Sequence, residues 1–244
     1  MTHKLLLTKE GHTFFLKDIS SDYHCQYGVV SKKDLRRKSG SVVKTNTGTE
    51  LTVIDPCFID QFKRIKRGAQ IITLKDIGTI VSETGIDASS KVVDAGAGSG
   101  ALSCFLAHLC KEVTTYELRD DFFKIVAKNK EFLRLDNLKL KQGDITKGIS
   151  EKNVNVFTLD IPDPWNALET AANSLKPGGF LISYSPSIPQ VMDMVNTTRS
   201  QGIFVHIKTV ENIQREWEID GRKVRPVTTQ NVHTGFLSFF RKIN

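Results

Sequence analysis

The segment 92–109 restricts the fold more than any other part of this chain. A pair of valines leads into Asp94, a turn follows, and an apolar stretch begins at Ala101. Three glycines occupy alternate positions of the turn: Gly96, Gly98 and Gly100. Glycine is needed where the backbone takes positive φ or where a ligand lies against it. The segment predicts a strand, a tight turn and a helix whose first N–H groups face a ligand.

The spacing of these glycines bears on which ligand the turn holds. A dinucleotide pyrophosphate is typical of G-x-G-x-x-G, whereas this turn reads G-x-G-x-G after a strand that ends in Asp94. A carboxylate there suits the positively charged end of S-adenosylmethionine better than a diphosphate. The methyl-donor interpretation is favoured, and a nucleotide site or a turn that serves only the fold remain alternatives.

Alternating strands and helices follow from Lys75, where Asp76 favours a helix start and Gly85 its end. Repeated βα units indicate an α/β fold with a parallel sheet covered on both faces. The predicted strands are Lys91–Ala95, Val113–Glu117, Leu138–Gln142, Asn155–Asp160, Gly179–Ser183, Phe204–Val210 and Thr234–Phe240.

The front of the chain is different and predicts a small β-domain over residues 1–68, ahead of the larger domain 69–244. Its predicted strands are Lys4–Thr8, Thr13–Leu16, Ser41–Lys44 and Glu50–Ile54. This front part carries +6 of the net charge of +7. Two basic clusters hold most of it, one with Lys32, Lys33, Arg36 and Arg37, the other at 63–67. One such cluster is usually a solvated face, but two favour contact with nucleic acid, through release of counterions from phosphates.

Composition places the chain among globular proteins of a reducing compartment, and the cytosol is the expected location. Apolar residues make up 39% and charged residues 25%. No apolar run reaches membrane-spanning length, and the four cysteines show no CxxC pair or zinc-ligand spacing. We expect no metal and no membrane association.

Acidic residues stand at the ends of successive predicted strands, where ligands of open α/β sheets gather. The four are Asp94, Glu117, Asp144 and Asp160. Glu117 could accept from both hydroxyls of a ribose, and Asp144 from an adenine amino group. Each acid alone is more often a turn former or a helix cap, but four in succession indicate a binding site.

Eight segments resemble the tRNA adenine-N1 methyltransferases that act on a T-loop adenosine, at position 57 or 58. In chain order they read RGAQIITLKD (67–76), DAGAGSGAL (94–102), YELR (116–119), GDI (143–145), LDIPDPW (159–165), LKPGGFLISYSPSIPQV (175–191), REWE (215–218) and RPVTTQNVHTGF (225–236). The glycine turn and LKPGG occur in many methyltransferases. LDIPDPW, REWE and the VHTGF tail are much narrower and indicate this family.

The resemblance implies a seven-stranded Rossmann-like class I methyltransferase sheet with an antiparallel last strand, S-adenosylmethionine as donor, tRNA as substrate and a homotetramer. It implies that the donor is bound by Gln70, Gly96, Gly98, Ser99, Gly100, Ala101, Leu102, Glu117, Asp144 and Asp160. Asp160 would be the catalytic carboxylate, accepting from N6 of an extruded adenine while N1 attacks the methyl group. A helix N-cap is the alternative for Asp160, and Thr73 replaces a Tyr or His frequent in the family.

The remaining polar and aromatic residues leave alternatives open. Arg225, with its basic neighbours at 222 and 223, is a candidate phosphate contact or a solvated turn. Trp217 could contact RNA or a second subunit, and His233 is expected to be a hydrogen-bonded structural residue.

Three other functions compete with tRNA methylation. One is a methyltransferase acting on a small molecule or protein. Another is a non-catalytic RNA-binding subunit of a tRNA methyltransferase. The third is a nicotinamide-dependent oxidoreductase, which the glycine spacing disfavours.

Overall fold

The structure of this chain, a computed structural model, describes residues 3–68, 70–229 and 233–243. It divides into two compact units, Met1–Arg64 and Ile65–Asn244. The division falls a few residues before the predicted boundary at residue 68. Lys66 belongs to the second unit because its main chain is hydrogen-bonded to Asn129. Residue 69 and residues 230–232, which belong to two of the family-like motifs, lie outside the described residues.

The first unit is a small β structure, as predicted. Its elements are β1 (Lys4–Leu7), β2 (Thr13–Leu16), β3 (Tyr23–Cys25), β4 (Gly28–Val30), α1 (Lys32–Leu35), β5 (Val42–Lys44), β6 (Glu50–Ile54) and α2 (Phe58–Phe62). An antiparallel sheet has the order β2-β1-β6-β5, and β3 pairs with β4 as a separate hairpin that was not predicted from the sequence. Apolar side chains such as Leu6, Leu35 and Val53 fill its core.

The second unit holds the alternating strands and helices. Its elements are α3 (Leu74–Thr84), β7 (Lys91–Ala95), α4 (Ala101–Leu109), β8 (Glu112–Glu117), α5 (Asp120–Leu133), β9 (Leu138–Gln142), β10 (Val154–Leu159), α6 (Leu168–Ser174), β11 (Leu175–Ser185), α7 (Ile188–Gln201), β12 (Phe204–Glu211), β13 (Trp217–Asp220), β14 (Lys223–Pro226) and β15 (Phe236–Lys242). All seven predicted strands are present, β7 and β9 with the predicted bounds and the other five with ends that differ by one to four residues.

Seven strands form one sheet in the order β12-β15-β11-β10-β7-β8-β9. Strands β7 to β11 pair in parallel, and β15 runs antiparallel to β11 and β12. The predicted sheet with its antiparallel last strand is confirmed. The strand order reverses between β7 and β10, which opens a crevice at their carboxyl ends.

The central strands are buried on both faces, as is typical of parallel sheets, and most of their side chains are apolar. Val93 and Phe157 lie in one cluster with Ala171 of α6 and Met194 of α7. This packed frame fixes the carboxyl edge on which the functional side chains stand.

A hairpin of β13 and β14 interrupts the chain between β12 and β15, and it was not predicted from the sequence. Trp217 pairs with Pro226 and Ile219 with Val224, while the intervening positions carry charged pairs such as Glu218 with Arg225. The strands are only four residues long, so their periodicity is weak. The Asp-Gly dipeptide at 220–221 is the hairpin signal that could have found them.

In the part of the chain that the structure describes, no helix is both long and apolar enough to cross a membrane. The same residues contain no group of His, Cys, Asp and Glu side chains arranged to hold a metal ion.

Candidate active site at the carboxyl edge of the sheet

A cavity of about 570 Å³ opens where β7, β8, β9 and β10 end. Its wall includes Gln70, Gly96, Gly98, Tyr116, Glu117, Leu118, Arg119, Phe122, Asp144, Ile145, Asp160, Ile161 and Asn166. A narrower pocket continues from it between the glycine turn and residues 70–72, and is lined by Ser99, Ala101 and Leu102. Of the residues predicted to bind the donor, all but Gly100 therefore line one or both of these spaces.

Two glycines of the turn are needed for the shape of the cavity wall. Gly96 has φ of +83° and Gly98 has φ of +53°. A Cβ on Gly96 would overlap the main-chain carbonyl of Asp160, so no larger residue allows the turn to approach the end of β10.

Gly100 faces the interior and not the cavity. Its φ is +77°, and a Cβ there would meet Val126 at 3.0 Å and Cys104 at 3.5 Å. The geometry gives Gly100 a packing role where α4 begins, beneath the turn.

Ser99 presents an unusual buried group beside the turn. Its side chain is buried, and its hydroxyl has no hydrogen-bond partner among the described residues. No other buried side-chain oxygen or nitrogen atom of those residues lacks one. A buried hydroxyl normally has a partner, because leaving one unpaired costs about 1–3 kcal/mol. The hydroxyl is thus a candidate to contact a polar ligand in the narrower pocket.

Glu117 ends β8 and is almost fully buried. One carboxylate oxygen accepts from the Gly98 N–H at 2.8 Å and the other from the Arg119 N–H at 2.9 Å. These bonds fix the carboxylate against the turn. Each oxygen has a second lone pair, so both can still accept from ligand hydroxyls.

Asp144 follows β9 and caps a short 3₁₀ turn. Its Oδ1 accepts from the Thr146 N–H at 2.9 Å and from the Thr146 hydroxyl at 2.7 Å, and these bonds lower the pKa of Asp144. Asp144 is therefore a helix cap that also borders the cavity, and its second oxygen remains able to bind a ligand amino group.

Asp94 does not act as an open carboxylate beside the turn. Its two oxygens accept from the hydroxyls of Thr115 and Thr158, at 2.8 and 2.7 Å, on the strands to either side. Burial raises the pKa of Asp94 despite these bonds. Asp94 is committed to joining three strands, although it borders the narrower pocket.

Asp160 lies one residue beyond β10 and reaches into both spaces. Its N–H donates to Ala95 O at 2.9 Å, which places it beside the turn. Among the hydrogen bonds of the described residues, none reaches its carboxylate. Burial, together with the negative charges of Asp94 and Glu117, raises the pKa of Asp160 to about 7. The alternative role as a helix N-cap is not what the structure shows, because Asp163 holds the cap position of the following 3₁₀ turn.

The loop after Asp160 is held by a residue that was not singled out from the sequence. Gln190, in the first turn of α7, donates from Nε2 to Pro162 O at 3.1 Å and accepts from the Ser187 hydroxyl at 2.8 Å. The signal was present in the motif 175–191, but a single sequence does not reveal which main-chain group a glutamine amide will meet.

Gln70 lines both spaces, ahead of α3. Thr73 caps α3, and its hydroxyl donates to the Asp76 carboxylate at 2.9 Å. Asp76 lies in the first turn of that helix, as predicted.

The candidate tRNA contacts lie elsewhere. Lys32, Lys33 and Arg36 are exposed in and after α1 of the first unit, and Arg37 pairs with Asp34 at 2.8 Å. Arg225 belongs to the β13–β14 hairpin and pairs with Glu218 across the strands at 3.2 Å. His233 is hydrogen-bonded to Glu211 at 2.6 Å and to Pro186 O at 3.2 Å.

Comparison with known proteins gives this geometry a family. Residues 63–225 match the family described as tRNA methyltransferase complex GCD14 subunit. A tRNA (adenine(57)-N(1)/adenine(58)-N(1))-methyltransferase TrmI of Methanocaldococcus jannaschii is 34% identical over 98% of this chain and 94% of its own length. The chain belongs to this tRNA methyltransferase family. The predicted resemblance is confirmed, and it excludes the nicotinamide-dependent oxidoreductase.

Two further proteins agree on the whole-chain match. The tRNA (adenine(58)-N(1))-methyltransferase TrmI of Thermus thermophilus is 31% identical over 98% of this chain and 92% of its own length. A solved structure, a SAM-dependent O-methyltransferase from Thermotoga maritima, superimposes with a TM-score of 0.88 and 26% identity, covering 100% of this chain and 93% of that one. The methyltransferase family thus extends over both units, and its donor is S-adenosylmethionine.

Proposed function

We propose that this chain transfers a methyl group from S-adenosylmethionine to N1 of an adenosine at position 57 or 58 in the T-loop of tRNA. The observation that carries the proposal is the carboxylate of Asp160, which lies beside the glycine turn and receives no hydrogen bond from the residues that the structure describes. This carboxylate stands in a chain similar over nearly its whole length to two tRNA (adenine-N1)-methyltransferases.

The residues around the cavity fit the donor. The unpaired Ser99 hydroxyl suits the charged methionine end, and Glu117 keeps one lone pair on each oxygen for the ribose hydroxyls. Asp144 can accept from the adenine amino group. Leu118 is 65% exposed on the cavity wall and offers an apolar surface on which a ligand ring could pack. A volume of about 570 Å³ is in the range of small-molecule sites.

When bound, S-adenosylmethionine would supply a methyl carbon activated by a sulfonium and, as the sulfur–methyl bond breaks, would leave as neutral S-adenosylhomocysteine. Adenine N1 has an in-plane lone pair once the base is unpaired, so no residue has to remove a proton to create the nucleophile. The protein must hold N1 in line with the methyl carbon, and orientation of this kind lowers a barrier by several kcal/mol.

Asp160 gives that orientation and also stabilises charge. Methylation leaves positive charge on N1 and N6 of the adenine. A carboxylate that accepts from N6–H turns the ring edge toward the donor and becomes more favourable as the charge develops. This role needs the ionised carboxylate, and the positive charge of a bound donor would lower the pKa of Asp160 from its value near 7.

Recognition of tRNA requires positive charge, and we place it on Lys32, Lys33, Arg36 and Arg37 of the first unit, with Arg225 as a further contact. The first three are exposed, and Arg37 is half exposed beside Asp34. Exposed basic side chains bind a phosphate backbone mainly by releasing counterions. We propose residues 1–68 as the part that contacts tRNA and 69–244 as the methyltransferase domain.

Self-association into a homotetramer, in the cytoplasm, completes the proposal. On one face of the β13–β14 hairpin, Trp217, Ile219 and Val224 are each more than half exposed, which favours a protein partner there. The four cysteines are free, as in a reducing compartment.

A transfer to oxygen is the second candidate. It is favoured by the likeness to the O-methyltransferase from Thermotoga maritima and by the raised pKa of Asp160. A hydroxyl acceptor needs a general base, and a carboxyl group that titrates near neutral pH suits one. This activity would leave an O-methylated product.

One experiment separates the two candidates. Unmodified tRNA is incubated with the protein and donor, digested to nucleosides and examined by mass spectrometry. We expect 1-methyladenosine, and oligonucleotide mapping places it at position 57 or 58. Ribose-methylated nucleosides with no 1-methyladenosine would support the oxygen acceptor and contradict the proposal. A tRNA in which both adenosines are replaced by guanosine is the substrate control.

A further inference from the structure

Asn129 makes more contacts with the main chain around the cavity than its place on α5 suggests. It is 2% exposed. Its Oδ1 accepts from the Lys66 N–H at 2.8 Å, and its Nδ2 donates to Lys66 O at 2.9 Å and to Ser99 O at 2.8 Å. Both amide hydrogens and one acceptor position are therefore used to join three separate segments.

The segments that Asn129 joins form two walls of the donor site. Ser99 lies in the glycine turn and lines the narrower pocket. Lys66 lies four residues before Gln70, which lines both spaces. One side chain thus sets the distance between the turn and the start of the segment opposite it.

The same face of α5 provides a second contact for this segment. A Cβ on Gly68 would lie 2.8 Å from Ile125 and 3.0 Å from Phe122, so the main chain there runs directly against the helix. Positions 122, 125 and 129 fall on one helical face. Phe122 also lines the cavity.

We propose that Asn129 is a positioning residue for the methyl donor. Its amide holds the segment that carries Gln70 and the turn that carries Ser99 in the arrangement that the donor needs, before the donor arrives. Binding is stronger when these walls are already ordered, because less conformational entropy is lost. The inference depends on the proposed function only in treating the cavity as the donor site.

Asn137 offers a matched control in the same unit. Its Nδ2 donates to Ala107 O at 2.8 Å and to Cys110 O at 2.9 Å, where α4 ends. It does not line either space. Asn129→Ala and Asn137→Ala each remove an amide that ties down main-chain carbonyls, but only the first loosens the donor site.

Calorimetric titration with S-adenosylhomocysteine is the test. We expect Asn129→Ala to raise Kd about tenfold, equivalent to roughly one or two lost hydrogen bonds. Asn137→Ala should leave it within about twofold. With tRNA and donor saturating, kcat of Asn129→Ala should stay within about threefold of wild type, since the main chain of Asp160 is bonded to Ala95 and does not depend on Asn129. A Kd of Asn129→Ala within about twofold of wild type would overturn the inference, and a lowered unfolding midpoint in both variants would then show that Asn129 serves only stability.

Amide hydrogen exchange of the wild-type protein tests the same contact if Asn129→Ala does not fold. The Lys66 N–H lies in an irregular segment, yet it should exchange much more slowly than an open coil, and S-adenosylhomocysteine should slow it further. Exchange at the coil rate would overturn the inference. Both readouts need only the donor product. If both readouts agree with the inference but tRNA is not methylated, the proposed acceptor is wrong and the inference about Asn129 stands.

Discussion

Two regions of the second unit bury a carboxylate in opposite ways. At the start of α3, Asp76 is fully buried, and its oxygens accept from Thr73, Lys75, Asn212 and Thr234 at 2.7–3.2 Å. At the end of β10, Asp160 is partly buried beside the cavity, and among the described residues no donor reaches its oxygens.

The pKa of the two carboxyl groups shifts in opposite directions. Burial alone would raise the pKa of Asp76, but hydrogen bonds, chiefly from Asn212 and Thr234, outweigh it and lower the pKa. At Asp160, burial and two neighbouring carboxylates act without opposition and raise the pKa to about 7. A carboxylate whose acceptors are filled by the protein serves the fold. One left unfilled beside a cavity is available to a ligand.

The largest effect is expected on stability at Asp76. Asp76→Ala leaves the mostly buried Lys75 ammonium without its carboxylate and frees Asn212 and Thr234, which stand at the two ends of the segment bearing the hairpin. Breaking a buried pair in this way costs about 3–5 kcal/mol. Urea unfolding at pH 7 measures it, with the exposed Asp193→Ala on α7 as control. A loss of less than about 1 kcal/mol would refute the structural role.

Asp160→Ala should lower kcat by about a hundredfold to a thousandfold, the size of effect seen when a group that stabilises transition-state charge is removed. Binding of S-adenosylhomocysteine should change little, because Glu117 and the glycine turn stay in place. Single-turnover methylation of tRNA gives the rate and calorimetry gives the affinity. Glu169→Gln, at an exposed acid on α6, is the control. A rate within about threefold of wild type would remove Asp160 from catalysis.

Removing the charge at Asp160 should stabilise the folded protein, whereas removing it at Asp76 should destabilise it. A carboxyl group with a pKa near 7 in the folded protein and 3.8 as its ordinary value takes up a proton on folding between those pH values. Stability therefore falls as pH rises through that window, and the penalty is complete above pH 7. Asp160→Asn abolishes it.

The rise to about 7 sets an upper bound of about 4 kcal/mol for this penalty. Water in the open cavity reduces it, and we expect Asp160→Asn to stabilise the ligand-free protein by about 1–2 kcal/mol at pH 8 and by nothing near pH 4. Urea midpoints at the two pH values measure the difference. A destabilised variant at pH 8 would mean that protein donors hold this carboxylate after all, and the contrast with Asp76 would fail.

The sequence predicted the strands and the edge on which the acids stand, because buried apolar runs and the glycine turn are local signals. The local pattern did not distinguish Asp94, near the end of β7, from Asp160, just after β10, and only the family resemblance singled out Asp160. The difference lies in register: Thr115 and Thr158 stand directly opposite Asp94 on the neighbouring strands and fill its acceptors.

Contacts between distant parts of the chain could not be predicted either, because the sequence patterns are local. Asp76 meets Asn212 and Thr234 across more than 130 residues, and Asn129 meets Lys66 across 63. Nothing in the local pattern of an asparagine on a helix reveals a partner so far away. The sequence predicts where along the chain the candidate acids stand. The packed structure determines which of their carboxylate oxygens remain without a hydrogen bond from the protein.

The smallest effect concerns the basic residues of the first unit. They are proposed to attract tRNA phosphates through charge, whereas the cavity residues act by direct contact. Lys32→Ala with Lys33→Ala should raise KM for tRNA about three- to tenfold and reduce the slope of log KM against log salt by about 1–2, while donor affinity stays unchanged. Lys91→Ala with Lys111→Ala removes equal charge at the opposite edge of the large sheet, where β7 and β8 begin, and should leave both quantities unaltered. Steady-state kinetics at salt concentrations between about 50 and 200 mM compare the two pairs, because counterion release from phosphates is readily measured in that range. Equal effects from both pairs would show that only net charge matters, because a specific phosphate contact depends on where the charge stands and a general attraction does not.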